Sequence, residues 1–82
     1  MSRKLLRLPA VKGESGLSRS TIYLRIDQGL WTRPVSLGAR AVAWPAEEVD
    51  ALNSARIAGK SDADIRKLVQ RLHEARTQGV TK

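Results

Sequence analysis

The chain has 82 residues, enough for one domain with one modest core, and a hydrophobic content of 41% sets it apart from a disordered tail. It has no cysteine, which excludes a disulfide scaffold and a thiolate zinc site and fits a reducing compartment. No apolar run approaches the roughly 18 residues of a membrane span, and Arg7 and Pro9 interrupt the apolar start too early for a good signal peptide.

The charge is informative. Fifteen basic against eight acidic residues give a net charge of +7, and the excess is one-sided. In the first forty residues Arg3, Lys4, Arg7, Lys12, Arg19, Arg25, Arg33 and Arg40 stand against only Glu14 and Asp27, whereas the remainder is nearly balanced. Such an asymmetry is the electrostatic footprint of a protein that meets a polyanion.

The predicted elements begin after Leu5, Leu6 and Leu8. Pro9 is well tolerated in a first helical turn, so a short helix is expected over 9–15, with Val11 inward and Gly16 as its left-handed stop. Leu17 pins a tight turn. Ser18 is a good N-cap, since its hydroxyl can accept a backbone N–H of the next helix, expected over 19–28. Ile22 and Ile26 share a face of that helix, and Gly29 closes it. Helix, short glycine turn and second helix is a helix-turn-helix layout.

The period then changes. Residues 34–37 and 41–44 read as two short strands around Gly38-Ala39-Arg40, with Val35 and Leu37 alternating with Ser36, and Val42 and Trp44 with Ala41 and Ala43. Pro45 is expected to start a helix whose Glu47, Glu48 and Asp50 complement the helix dipole. Val49, Leu52 and then Ala55 or Arg56 trace its inner side, and Gly59 ends it. Ser61 to Asp64 resembles a capping box with Asp in place of Glu. The helix that follows carries an apolar stripe of Ile65, Leu68, Val69 and Leu72, with Gly79 as its expected stop. That stripe fits either packing within the chain or a homodimer or cooperative oligomer.

The pieces Gly16-Leu-Ser-Arg-Ser-Thr-Ile-Tyr23 and Pro34-Val-Ser-Leu-Gly-Ala-Arg-Ala-Val-Ala-Trp44, in this order and spacing, resemble the AlpA family of small prophage-associated regulators. That family is similar to phage excisionases and to the MerR-type winged DNA-binding domain. The resemblance covers about residues 5–55. It implies a mainly α fold with a small β-hairpin, a winged helix-turn-helix expected over 1–58; the C-terminal amphipathic helical extension over 59–82 lies beyond the shared core and is read from its apolar stripe alone. It implies a sequence-specific double-stranded DNA-binding regulator of prophage or integrated-element genes, cytoplasmic and nucleoid-associated. An excisionase-like factor that bends DNA for a recombinase is the closest alternative. Two departures stand out: Trp31-Thr32 replaces a common Phe-Pro pair, and Leu24-Arg25 stands where a basic residue followed by an apolar one is common, which turns a different side chain toward DNA.

A recognition helix presents polar and basic groups near its N-terminus to the major groove. Here those are Ser18, Arg19, Ser20, Thr21, Tyr23 and Arg25. Arginine can bind guanine edges in a bidentate manner, and serine or threonine can reach bases or phosphates. Gly38 and Arg40 at the hairpin tip, with Arg33 before it, are expected on the backbone or in a narrow minor groove. The same residues also have purely structural uses, as caps, turns and solvated charges; Arg3, Lys4 and Arg7 could form an N-terminal arm on the DNA backbone, but termini are usually mobile and solvated charges are what is expected of them. Trp31 and Trp44 are expected in the core. His73, the only histidine, is expected at the surface, and no catalytic group, metal cluster, phosphate loop or cofactor site is legible. An RNA-binding accessory role is disfavoured by having three aromatic residues in all, and an adaptor working through the last helix would not depend on Arg19 or Arg40.

Overall fold

Four helices surround a small three-stranded sheet in the computed structural model, which describes residues 4–78. In chain order these are β1 (Leu5–Leu6), α1 (Leu8–Ser15), α2 (Arg19–Asp27), β2 (Val35–Gly38), β3 (Ala41–Pro45), α3 (Ala46–Ile57) and α4 (Asp62–Gln78). Gly79, the expected stop of the last helix, and Arg3 lie outside the described residues.

The first half follows its local chemistry. Pro9 sits in the first turn of α1, where no N–H is needed. Gly16 closes α1 at φ 73°, and its N–H donates to the Lys12 carbonyl at 2.8 Å. Only glycine takes that left-handed backbone without steric cost. The chain turns at once into α2, whose N-cap Ser18 accepts the Thr21 N–H at 3.2 Å. Val11 and Ile22 are fully buried, and Ile26 packs at the core edge.

Around the sheet the sequence expectations need correction. β1 was not anticipated, because a two-residue strand has no period to read. It pairs antiparallel with β3, Leu5 opposite Pro45 and Leu6 opposite Trp44, and the Ala46 N–H donates to the Lys4 carbonyl at 2.8 Å. The sheet order is β1-β3-β2, so β3 is central. Its expected alternation fails at the end of the strand, where Ala43, Trp44 and Pro45 are all buried. One face meets the helices, while on the other Arg76 of α4 joins Leu5, Val35 and Pro45 around a shallow hollow. Pro45 ends β3 and is the N-cap of α3 rather than its first residue.

The β2–β3 hairpin has an irregular tip. Val35 pairs with Ala43 and Ser36 with Val42, but Gly38 pairs with Ala41, a register shift between Ser36 and Gly38. A two-residue turn of the favoured hairpin type needs φ > 0 at both central residues. Ala39 and Arg40 do not supply it; Gly38 absorbs the twist instead, at φ 129°. Leu37 is consequently turned out, 46% exposed, against its expected inward alternation with Val35.

The two C-terminal helices complete the core. Val49 and Leu52 of α3 are buried and Ala55 packs beside them, whereas Arg56 is exposed and reaches Asp62 at 3.4 Å. Ser61 accepts the Asp64 N–H at 3.2 Å, as the capping pattern predicts. The α4 stripe lies within the chain: Ile65 and Val69 are buried beside Val11, Ile22, Leu30, Trp31, Trp44, Val49 and Leu52, and Leu68 and Leu72 pack against that cluster. Of the two expected uses of the stripe, internal packing is the one seen in the fold, with Leu68 and Leu72 left partly exposed at the edge of the core. Both tryptophans are in the core, as expected.

Candidate nucleic-acid interface

The outer surface of α2 is built by its burial pattern. Ile22 is anchored inward, so Ser20, Leu24 and Asp27, at i, i+4 and i+7, form the exposed line of the helix. Arg19 is exposed beside Ser20, and Thr21 and Arg25 are half-buried on the flanks. At the helix start the Ser18 hydroxyl contacts the Thr21 hydroxyl at 2.9 Å and that of Ser20 at 3.3 Å. Ser18 is therefore engaged as a cap, and the first turn of α2 presents a cluster of hydroxyls around its N-terminus.

Tyr23 is fixed from two sides. Its ring meets Trp44 edge-on, with centroids 6.2 Å apart and planes at 72°, and the Arg19 guanidinium lies 5.2 Å from its centroid on the outer side. Such a cation–π contact is worth about 0.5–1 kcal/mol at an exposed site. It holds a flexible arginine near the helix N-terminus without consuming its hydrogen-bond donors. Trp44 in turn donates its indole N–H to the Thr32 carbonyl at 2.9 Å, tying β3 to the loop before β2. One buried ring thus links α2 to the root of the hairpin.

The hairpin carries Arg40 in its exposed turn, next to exposed Leu37 and Gly38. Arg33, also exposed, stands at its root. The Arg33 backbone is held on both sides by α4: its N–H donates to His73 Nε2 at 3.1 Å, and its carbonyl accepts Arg76 Nη2 at 2.6 Å. Arg76 also forms a fork on Glu48, Nε to Oε2 at 2.7 Å and Nη2 to Oε1 at 2.6 Å. The Glu48 side chain is 1% exposed. It stands in the first turn of α3, as expected of a helix-dipole complement, and is in addition a buried ion-pair partner, which was not expected. Bidentate pairs of this kind are the strong ones, and the geometry meets the condition under which a charge can be buried.

His73 likewise departs from the surface position expected of it. It is half-buried and accepts a hydrogen bond, which requires the neutral ring with its proton on Nδ1. Burial lowers its pKa below the usual histidine value, the neighbouring Arg33 and Arg76 charges lower it further, and Glu48 opposes them.

Residues 4–57 match the family described as prophage CP4-57 regulatory protein (AlpA). The chain belongs to that family. Membership makes it a prophage regulatory protein and not an enzyme. It is also similar to the uncharacterized protein ORF88 of Enterobacteria phage P4, at 49% identity over 57 residues, 70% of this chain. The chain spans 65% of that relative's length. No solved structure matches it closely. Among the described residues no helix is long and apolar enough to cross a membrane, and no group of three or more His, Cys, Asp or Glu side chains is placed to hold a metal.

The shared segment contains α1, α2, the hairpin and α3, and ends before α4. Arg19, Ser20 and Thr21 fall at one end of α2 and Tyr23 at its middle, whereas Arg40 and Gly38 fall at the hairpin tip. Leu24, 55% exposed in the middle of α2, was not among the expected contacts. The signal was the departure at Leu24-Arg25, which places an apolar side chain where a polar one would be sought. Glu48, His73 and Arg76 were missed because they meet only in three dimensions.

Proposed function

We propose that the protein is a winged helix-turn-helix regulator that binds specific double-stranded DNA sequences, with α2 in the major groove and the β2–β3 hairpin as a wing on the backbone or minor groove. The observation that carries this reading is the exposed N-terminal face of α2, where Arg19 is held over Tyr23 beside a cluster of hydroxyls, in a chain of net charge +7. Residues 1–58 would be the DNA-binding unit and 59–82 an extension of it.

In this arrangement Arg19 reads a base edge, Ser18, Ser20 and Thr21 contact phosphates or bases, and Arg25 and Arg33 neutralise the flanking backbone. Leu24 gives the helix an apolar contact suited to a thymine methyl group. Arg40 beside Gly38 follows the phosphates or enters the minor groove. The genes controlled would be those of a prophage or integrated element, and the protein would act in the cytoplasm at the nucleoid.

Selection of bound duplexes from a random pool, followed by sequencing, tests this reading. One enriched motif, lost with Arg19→Ala, is the expected result. Binding with no enriched motif would favour an architectural, excisionase-like role, and absence of binding would overturn DNA recognition altogether.

A further inference from the structure

Three side chains of α4 reach across to the two elements assigned to DNA. Arg66 donates from Nε to the Gln28 carbonyl at 2.9 Å, at the C-terminal end of α2. His73 and Arg76 hold the N–H and the carbonyl of Arg33, at the root of the hairpin. The spacing 66, 73, 76 keeps all three on the side of α4 that buries Ile65 and Val69. All three lie beyond the segment shared with the family, which ends at residue 57.

The geometry points to α4 as a brace that sets the position of the hairpin relative to α2, with Arg66, His73 and Arg76 as positioning residues for DNA binding. Resting on the proposed DNA-binding function, this inference adds a role for a segment that lies outside the family match. Its physical basis is the link in between. Between Gln28 and Arg33 the chain runs through Leu30, Trp31 and Thr32, with little secondary structure of its own. The Trp44–Thr32 hydrogen bond fixes it next to Arg33, and α4 holds both of its ends. Docking needs two contact elements to meet the duplex together, so a hinge between them lowers affinity even when every contacting side chain is intact.

Arg76→Ala also strands buried Glu48, so the test uses His73 and Arg66 in the full chain. Binding to a labelled random-sequence duplex pool is measured for the parent, His73→Ala, Arg66→Ala and His73→Gln, each with and without Arg40→Ala. Thermal melting confirms that each variant is folded. His73→Ala is expected to weaken binding about fivefold when Arg40 is present and by much less when Arg40 is absent, the non-additivity that marks coupled groups. His73→Gln, which keeps an acceptor, should restore most of the loss. The Arg33 amide should exchange faster in His73→Ala and recover in His73→Gln, a change that a general loss of stability would not confine to one site. Equal losses in both Arg40 backgrounds, or no loss, would overturn the brace while leaving DNA binding intact. A parent protein that binds no duplex would overturn both readings together.

Discussion

The outer face of α2 and the polar knot beneath the hairpin use the same residue types for opposite ends. At α2, Arg19, Ser20 and Thr21 are solvent-facing or half-buried, and their contacts are local, within four residues. At the knot, Glu48, His73, Arg76 and the Arg33 backbone come from segments 28 to 43 residues apart and are packed into the fold. The difference teaches where a charge is worth stability and where it is left available for a partner. A charge that water already solvates loses little when removed, whereas a buried carboxylate without its counter-charge carries the full desolvation penalty.

The sharpest way to break this comparison is Arg76→Ala. Leaving Glu48 buried and unpaired is expected to cost about 3–5 kcal/mol, a large part of the roughly 5–15 kcal/mol that holds a domain together. A urea melt of that variant should show it barely folded, and Glu48→Met combined with Arg76→Met should recover much of the loss, since apolar replacement of a whole buried pair is often close to neutral. If Arg76→Ala melts like the parent, the knot is not structural.

A smaller effect is expected at the start of α2. Ser18→Ala removes the hydroxyl that accepts the Thr21 N–H, at a cost of about 1 kcal/mol, or about 4–8 °C in Tm for a domain of this size. Ser18→Asp, which caps equally well, should restore stability but place a negative charge where phosphate is expected. Recovery of DNA affinity along with stability would argue against phosphate contact at that end of the helix.

His73 gives a pH dependence of known sign. Its folded-state pKa is lowered, through burial and the charges of Arg33 and Arg76, so the unfolded chain takes up the proton first. Its contribution is complete above the ordinary histidine value of about 6.5 and is lost as pH falls through the lowered folded value. Protonation also removes the acceptor of the Arg33 N–H and adds a positive charge within a groove that Arg33 and Arg66 share with Asp27. Melting temperatures between neutral and mildly acidic pH should therefore fall more steeply for the parent than for His73→Gln. Parallel curves would show that the imidazole does not titrate in this range.

The least effect on stability is expected at the exposed arginines. Arg40→Ala should stay within about 0.5 kcal/mol of the parent in a urea melt, and Arg19→Ala should lose no more than the roughly 0.5–1 kcal/mol of its contact with Tyr23, while Arg19→Ala lowers DNA affinity by about 1–3 kcal/mol if it contacts a base edge. Destabilisation as large as that of Arg76→Ala would erase the contrast between the two regions.

The same contrast explains what could be read from the sequence. Ser18 as a cap, Gly16 as a stop and Ile65, Leu68, Val69 and Leu72 as an inward stripe depend on neighbours one or two turns away, so spacing alone reveals them. The resemblance to AlpA regulators rested on residues inside the segment that the family match covers. What escaped was non-local. β1 exists only because β3 offers it an edge, β3 loses its alternation where Arg76 covers its second face, and Glu48, an acid in the first turn of α3, gives no local sign that Arg76 reaches it. Leu37 was misassigned because a shifted register reverses which face a strand residue occupies.

The central claim, that this chain binds double-stranded DNA through α2 and the hairpin, is tested most directly by titrating a labelled duplex pool across a series of salt concentrations with the parent, Arg19→Ala and Arg40→Ala. The account predicts tight binding at low salt that weakens linearly on a log–log scale, with a shallower slope, by about one, when Arg40 loses a phosphate contact. Binding that is absent at low salt, or that keeps the same slope and affinity in both variants, would contradict it.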